Sequence, residues 1–166
     1  MTHALIREVR EADREAIRNV VAHAFGQAGE ADLVDRLVAD GDDVLELVAE
    51  RDGRIVGHVL FSRLGVETAN RSFQAVALAP VAVDMEYRGQ GVGSVMIEEA
   101  HRRLRLAGEA LSVVLGDPAY YGRFGYSHER AAGFSSDYQG YALQALAWSD
   151  APATGRLVYA AAFSAI

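Results

Sequence analysis

The sequence predicts a mixed α/β domain, and three stretches carry that expectation. Helix-spaced apolar residues fill the N-terminal segment, a tight hairpin sits at Arg51-Asp52-Gly53-Arg54, and the apolar run Ala77 to Val83 feeds through glycines into an amphipathic helix. With 166 residues, 51% of them hydrophobic and 23% charged, the chain has the size and composition of one globular unit. Such a unit buries about two thirds of its surface unaided by disulfides or metals. One domain over residues 1–166 is therefore expected.

His3 to Arg10 alternates well enough, through Ala4, Ile6 and Val9, to be an opening strand. Glu11-Ala12-Asp13 then starts a helix carrying Ala16, Ile17, Val20, Val21 and Ala24 on one side, and Gly26 to Gly29 interrupt it. A second helix is expected from Asp32, with Leu33, Leu37 and Val38 together and Gly41 ending it. Leu45 to Glu50 and Ile55 to Leu64 read as strands joined by the Asp52-Gly53 turn, whose residues tolerate positive φ. Glu67 to Arg71 reads as another turn, and Phe73 to Val83 as a third strand. Pro80 inside that strand cannot donate to a ladder, so it marks a bulge or the point where pairing stops.

Val95 to Ala107 reads as the third helix, with Met96, Ile97, Ala100 and Leu104 on one face and Gly108 closing it. Leu111 to Leu115 is continuously apolar, as in a strand covered on both faces. Asp117-Pro118 supplies the N-cap and first position of a short helix through Phe124, ended by Gly125. Tyr141 to Ala147 and Leu157 to Phe163 are expected as two final strands around the turn-rich SDAPATG.

Composition removes several function classes. There is no cysteine, which excludes disulfides, thiolate metal sites and a cysteine nucleophile. No apolar leader or membrane-length apolar run occurs, so no membrane association is expected and the default address is the cytoplasm. Net charge is −7, and the one basic run, His101 to Arg105, falls in the second half of a helix behind Glu98 and Glu99, where it complements the helix dipole. No nucleic-acid partner is therefore indicated. An acidic surface suits a cationic substrate and equally a merely soluble protein. His3, His23, His101 and His128 form no metal-ligand pattern, so no metal is expected.

The informative stretch is EYRGQGVGS, residues 86–94. A strand entering a helix leaves backbone N–H groups without acceptors, and with the helix dipole these attract anionic oxygens. Gly89, Gly91 and Gly93 let a ligand come close to the backbone, while Arg88 and Ser94 add side-chain donors. A P-loop would need Gly-Lys-Ser/Thr, which is missing. A dinucleotide fingerprint would need G-x-G-x-x-G, whereas the spacing here is G-x-G-x-G.

Arg88-Gly89-Gln90-Gly91-Val92-Gly93 resembles instead the pyrophosphate-binding signature of the GNAT superfamily of acyl-CoA-dependent N-acyltransferases. Gly116-Asp117-Pro118-Ala119-Tyr120-Tyr121-Gly122-Arg123-Phe124-Gly125-Tyr126 is similar to that superfamily's late helix, in a bacterial branch of N-acetyltransferases. Gly155 to Tyr159 with Ala162-Phe163 resembles the same branch. The resemblance implies a largely antiparallel sheet whose two central strands are parallel and splayed, with helices on both faces. It further implies acetyl-CoA as co-substrate, Val81, Ala82 and Val83 lining its thioester and pantetheine arm, and Arg88, Gly89, Gln90, Gly91, Val92, Gly93 and Ser94 holding its pyrophosphate.

By the same resemblance Tyr121 is the general acid for the departing thiolate, its alternative being a ring that only packs on the pantetheine arm. An ordinary phenol giving its proton to a thiolate is uphill by about 2 kcal/mol. Tyr120 is expected to face the core. No base is selected among Glu67, Asp84, Glu86 and His58. The segment Phe25 to Asp32 is expected on the acceptor side, where Glu30 either binds an ammonium or caps the helix that follows. The implied reaction is direct attack of a primary amine, small-molecule or peptide, on the thioester in a ternary complex. A homodimer is common in such proteins, although no residue indicates one. The competing readings are a non-catalytic acyl-CoA-binding module and a nucleotide-dependent oxidoreductase.

Overall fold

The computed structural model describes residues 4–165; His3 lies outside them. The chain runs β1 (Leu5–Glu8), α1 (Arg14–Phe25), α2 (Gly29–Ala39), β2 (Asp43–Arg51), β3 (Arg54–Glu67), β4 (Ser72–Val83) and α3 (Val92–Leu106). It continues through β5 (Leu111–Leu115), α4 (Pro118–Tyr121), α5 (His128–Ala131), β6 (Phe134–Ser135), β7 (Leu143–Ala147) and β8 (Gly155–Val158). Short 3-10 turns occupy Glu11–Asp13, Met85–Tyr87, Gly122–Phe124 and Ala161–Ala165.

The main sheet has the order β1-β2-β3-β4-β5-β7, and along it only β4 and β5 run parallel. β8 pairs with the far end of β3, from Gly65 to Glu67, and brings β6 alongside. The continuous apolar run in β2 is explained by burial on both faces: Leu47 and Ala49 join Met96, Ile97, Ala100 and Leu104 of α3, while Val48 joins Ile17, Val21, Val34 and Leu37 of α1 and α2. Helices thus cover both faces, as expected. The hairpin turn is also where the sequence puts it, with Asp52 and Gly53 at φ 52° and 78°.

Several boundaries differ from the sequence reading. α1 begins at Arg14 because Glu11–Asp13 is a 3-10 turn, and α2 begins at Gly29, ahead of Asp32. α3 begins at Val92 rather than Val95, so the last glycine of the turn already lies within its first winding. The expected strand over Leu157 to Phe163 divides: β8 ends at Val158 and the chain then coils into a 3-10 turn.

The feature that positions the site is a parting of strands. β4 and β5 are paired only over Val76↔Ser112 to Leu78↔Val114. Beyond that, β5 stays with β7 and β4 stays with β3, whose register slips between Val59↔Val81 and Phe61↔Leu78. Ala79 and Pro80 together stand opposite Leu60, the bulge that Pro80 leads one to expect. Past the bulge, the Asp84 amide donates to the Val56 carbonyl at 2.8 Å. In an antiparallel ladder this direction alternates, so Ala82 also turns its backbone groups toward β3, while Val81 and Val83 turn theirs into the gap left by β5.

Candidate active site

A cavity of about 320 Å³ occupies the gap. Ala79, Pro80 and Val81 form one wall, and Val114, Leu115 and Tyr121 the other. Phe25 and Glu30, at either end of the link between α1 and α2, lie along it with Tyr138, Tyr159 and Phe163 from the C-terminal part. A second hollow of about 430 Å³ lies past Val83, lined by Tyr87, Arg88, Gly89, Gly91, Val92, Gly93, Ser94, Tyr120 and Arg123. The two hollows are therefore neighbours along the end of β4, Val81 lining one and Val83 the other, with the adjacent Tyr121 and Tyr120.

The second hollow is built to take anionic oxygens. Gly89 and Gly91 adopt φ of 77° and 82°, which turns the chain sharply into α3. The amide of Val95 already pairs with Gly91 at 3.0 Å, so those of Val92, Gly93 and Ser94 are the ones a helix start leaves without an internal acceptor. A Cβ at Gly93 would stand 2.7 Å from the Tyr120 hydroxyl and 3.6 Å from Val83, so this glycine makes room for the Tyr120 side chain beside the turn. Arg123 reaches the Ser94 hydroxyl at 3.1 Å with its ring partner Tyr120 beneath it at 5.4 Å. Arg88 donates to the Ala24 carbonyl at 2.9 Å and so fastens the end of α1 to the turn.

Tyr121 is half-buried at the junction. Its ring packs edge-on against Tyr120 and Tyr126, and a Cβ at Gly116 would fall 2.5 Å from it, so this glycine makes room for the ring. Burial, with a smaller contribution from Tyr120, pushes the Tyr121 phenol up to about 12. It is a neutral donor across the physiological range. Tyr126 below it is fully packed, its hydroxyl 2.8 Å from Ser112 Oγ and 3.0 Å from His101 Nε2.

Residues 5–128 match the acetyltransferase (GNAT) domain family. The chain belongs to the GNAT acetyltransferases. It is 41% identical over 123 residues to the uncharacterized N-acetyltransferase YhbS of Escherichia coli K12, an alignment covering 74% of this chain and 72% of that one. The crystal structure of YhbS in complex with CoA superposes with a TM-score of 0.89 at 35% identity, covering 97% of this chain and 92% of the other. A GNAT family acetyltransferase from Brucella melitensis in complex with acetyl-CoA gives 0.83 at 34% identity, covering 98% and 99%.

In this GNAT chain the residues singled out from sequence separate into groups. Val83, Arg88, Gly89, Gly91, Val92, Gly93 and Ser94 surround the second hollow, and Val81 and Tyr121 line the first. Ala82 and Gln90 are not brought to either: Ala82 is buried among α1 and α2 residues, and the Gln90 side chain is held by Arg51 at 3.0 Å. Tyr120, expected to face the core, is half-buried: its ring packs against the core cluster and it also lines the hollow at the glycine turn. The four base candidates all lie outside the cavity linings. Glu67 pairs with Arg156, Asp84 caps the turn through the Glu86 amide at 2.9 Å, and Glu86 is exposed. His58 is buried, its Nε2–H donating to Glu46 at 2.7 Å with Arg14 on the same carboxylate. Burial pushes Glu46 up, but these two partners outweigh it and hold the carboxyl below its usual range.

Arg123, Tyr138, Tyr159 and Phe163 had no role in the sequence reading. Arg123 was findable, since it follows Tyr120 by three positions on one helical turn and so shares its face. The other three come from segments whose place depends on long-range pairing.

Proposed function

We propose that the chain transfers the acetyl group of acetyl-CoA to a primary amine by direct attack in a ternary complex. The parting of β4 and β5 carries this reading, because it frees the backbone of Val81 and Val83 between an anion-suited hollow on one side and an apolar cavity on the other. Two relatives crystallised with CoA or acetyl-CoA support it.

The fit can be followed residue by residue. The amides at the start of α3, with Arg123, take the diphosphate. Val81 and Val83 offer amides to the pantetheine arm and to the thioester carbonyl, which a donor makes more electrophilic. The bound co-substrate supplies an activated acyl group whose carbon–sulfur bond breaks as the carbon–nitrogen bond forms. Tyr121 gives its phenol proton to the leaving sulfur and is restored by the proton that the attacking nitrogen sheds. Holding both reactants at the junction supplies much of the acceleration.

Thermal stabilisation tests the donor half. CoA and acetyl-CoA are expected to raise Tm and NAD to leave it unchanged; stabilisation by NAD and not by CoA would overturn the reading. The non-catalytic alternative predicts the same stabilisation without release of free CoA in the presence of amines.

A further inference from the structure

The walls of the cavity between β4 and β5 are chemically one-sided. Among the described residues, its lining holds a single ionisable carboxylate, Glu30, and no lysine, arginine or histidine. Apart from the strand residues, the rest is aromatic or aliphatic: Phe25, Leu33, Tyr121, Tyr138, Tyr159 and Phe163. Tyr159 links Tyr138 and Phe163 into one aromatic wall, with edge-on contacts at 5.2 Å and 5.5 Å. Phe25 and Tyr138 remain 41% and 39% exposed, which is more than a core aromatic would show and places them at the open side. Gln27 steadies the Glu30 carboxylate with its side-chain amide at 3.1 Å and 3.4 Å.

From this we infer that the acceptor is an arylalkylamine: one ammonium, an aromatic body and no carboxylate. The inference rests on the acetyltransferase reading above and narrows it to a substrate class. An ammonium pairs with Glu30 and lies against aromatic faces that favour a cation. A zwitterionic amino acid would bring a carboxylate into a cavity with no cation to receive it, and unpaired burial of charge is heavily penalised. A polyamine would bring two or three ammonium groups to one carboxylate. An aminoglycoside would leave many hydroxyl groups facing apolar walls. Glu30 acts here as a recognition group; the excess ammonium proton passes to water at the open side before the neutral amine attacks.

The test uses the full chain with saturating acetyl-CoA and reads release of free CoA. Phenethylamine and tryptamine are expected to exceed phenylalanine and spermidine by at least about 100-fold in kcat/KM, and butylamine by about tenfold. Glu30→Gln should raise KM for phenethylamine by about 10- to 100-fold with kcat within threefold, while the Tm shift produced by CoA stays unchanged. Preference for spermidine, for phenylalanine or for a short peptide N-terminus would overturn the inference. So would an unchanged KM in Glu30→Gln, or CoA binding with no acetylation of either aromatic amine. Failure of CoA to shift Tm would instead strike the acetyltransferase reading itself.

Discussion

Replacing Tyr121 with Phe separates chemistry from packing. The Tyr121 hydroxyl makes no hydrogen bond to any described residue, and the ring contacts with Tyr120 at 5.0 Å and Tyr126 at 6.0 Å survive in Phe. Stability should therefore stay within about 0.5 kcal/mol of the parent. With the phenol near 12, transfer to a thiolate of ordinary pKa of about 8.5 is uphill by about 5 kcal/mol, more than an unperturbed tyrosine would face. On the proposed reaction the leaving sulfur would share this partly buried junction, which would raise its pKa as well and narrow the gap. A positioned acid usually contributes about 10²- to 10⁴-fold, and the residual gap places this one at the lower end. The expected loss is thus about 100-fold in kcat, or about 2.7 kcal/mol, with KM for acetyl-CoA within twofold. Initial rates of thiol release at saturating amine measure it. The parent should also show no alkaline decline up to about pH 10.5, because the acid titrates later. A Phe variant with kcat within threefold of the parent would refute an acid role and leave Tyr121 as packing alone.

Two further outcomes follow from the geometry. Arg123→Gln removes a cation from the hollow at α3 without touching the core, so KM for acetyl-CoA should rise by about tenfold and its dependence on salt should weaken; an unchanged KM at low ionic strength would count against Arg123. His101 is held down to about 4 by burial, assisted by the charge of Arg105. Its unfolded pKa of about 6.5 is higher, so the unfolded chain binds a proton that the folded one refuses; stability is complete above that pH and is lost as pH falls toward 4. Denaturant titration should show about 2 kcal/mol less stability at pH 5 than at pH 7, and His101→Gln should flatten that slope.

What sequence could announce was local. The Asp52-Gly53 hairpin, the glycine turn and the Asp117-Pro118 helix start each encode their geometry within a few residues, and each lies where it was expected. Pro80 marked the bulge because a missing donor is a property of one residue. The pair His58 and Glu46 was not legible, since its members sit on neighbouring strands in a register that no local pattern specifies. The aromatic wall of Tyr138, Tyr159 and Phe163 was hidden for the same reason. α5 and β6 are four and two residues long, too short for any period to show, and β8 finds its partner in β3 almost ninety residues earlier. Tyr138 and Tyr159 acquire a common surface only after that pairing forms.

The opening between β4 and β5 also sorts charge. On one side stand the start of α3, Arg88 and Arg123, although the chain as a whole carries −7. On the other, the only charged side chain in the lining is Glu30. On the proposed reaction, a field of this polarity would draw a phosphate-bearing donor to one end and an ammonium to the other, so that the two reactants would approach from opposite sides and meet at Val81, Val83 and Tyr121. Closing the gap with a longer β4–β5 ladder would consume the free amides of Val81 and Val83 and remove the slot together. On the proposed reaction, the loss of pairing at the Pro80 bulge is therefore a cost in sheet hydrogen bonds that would supply both the polarising donors and the room for the amine.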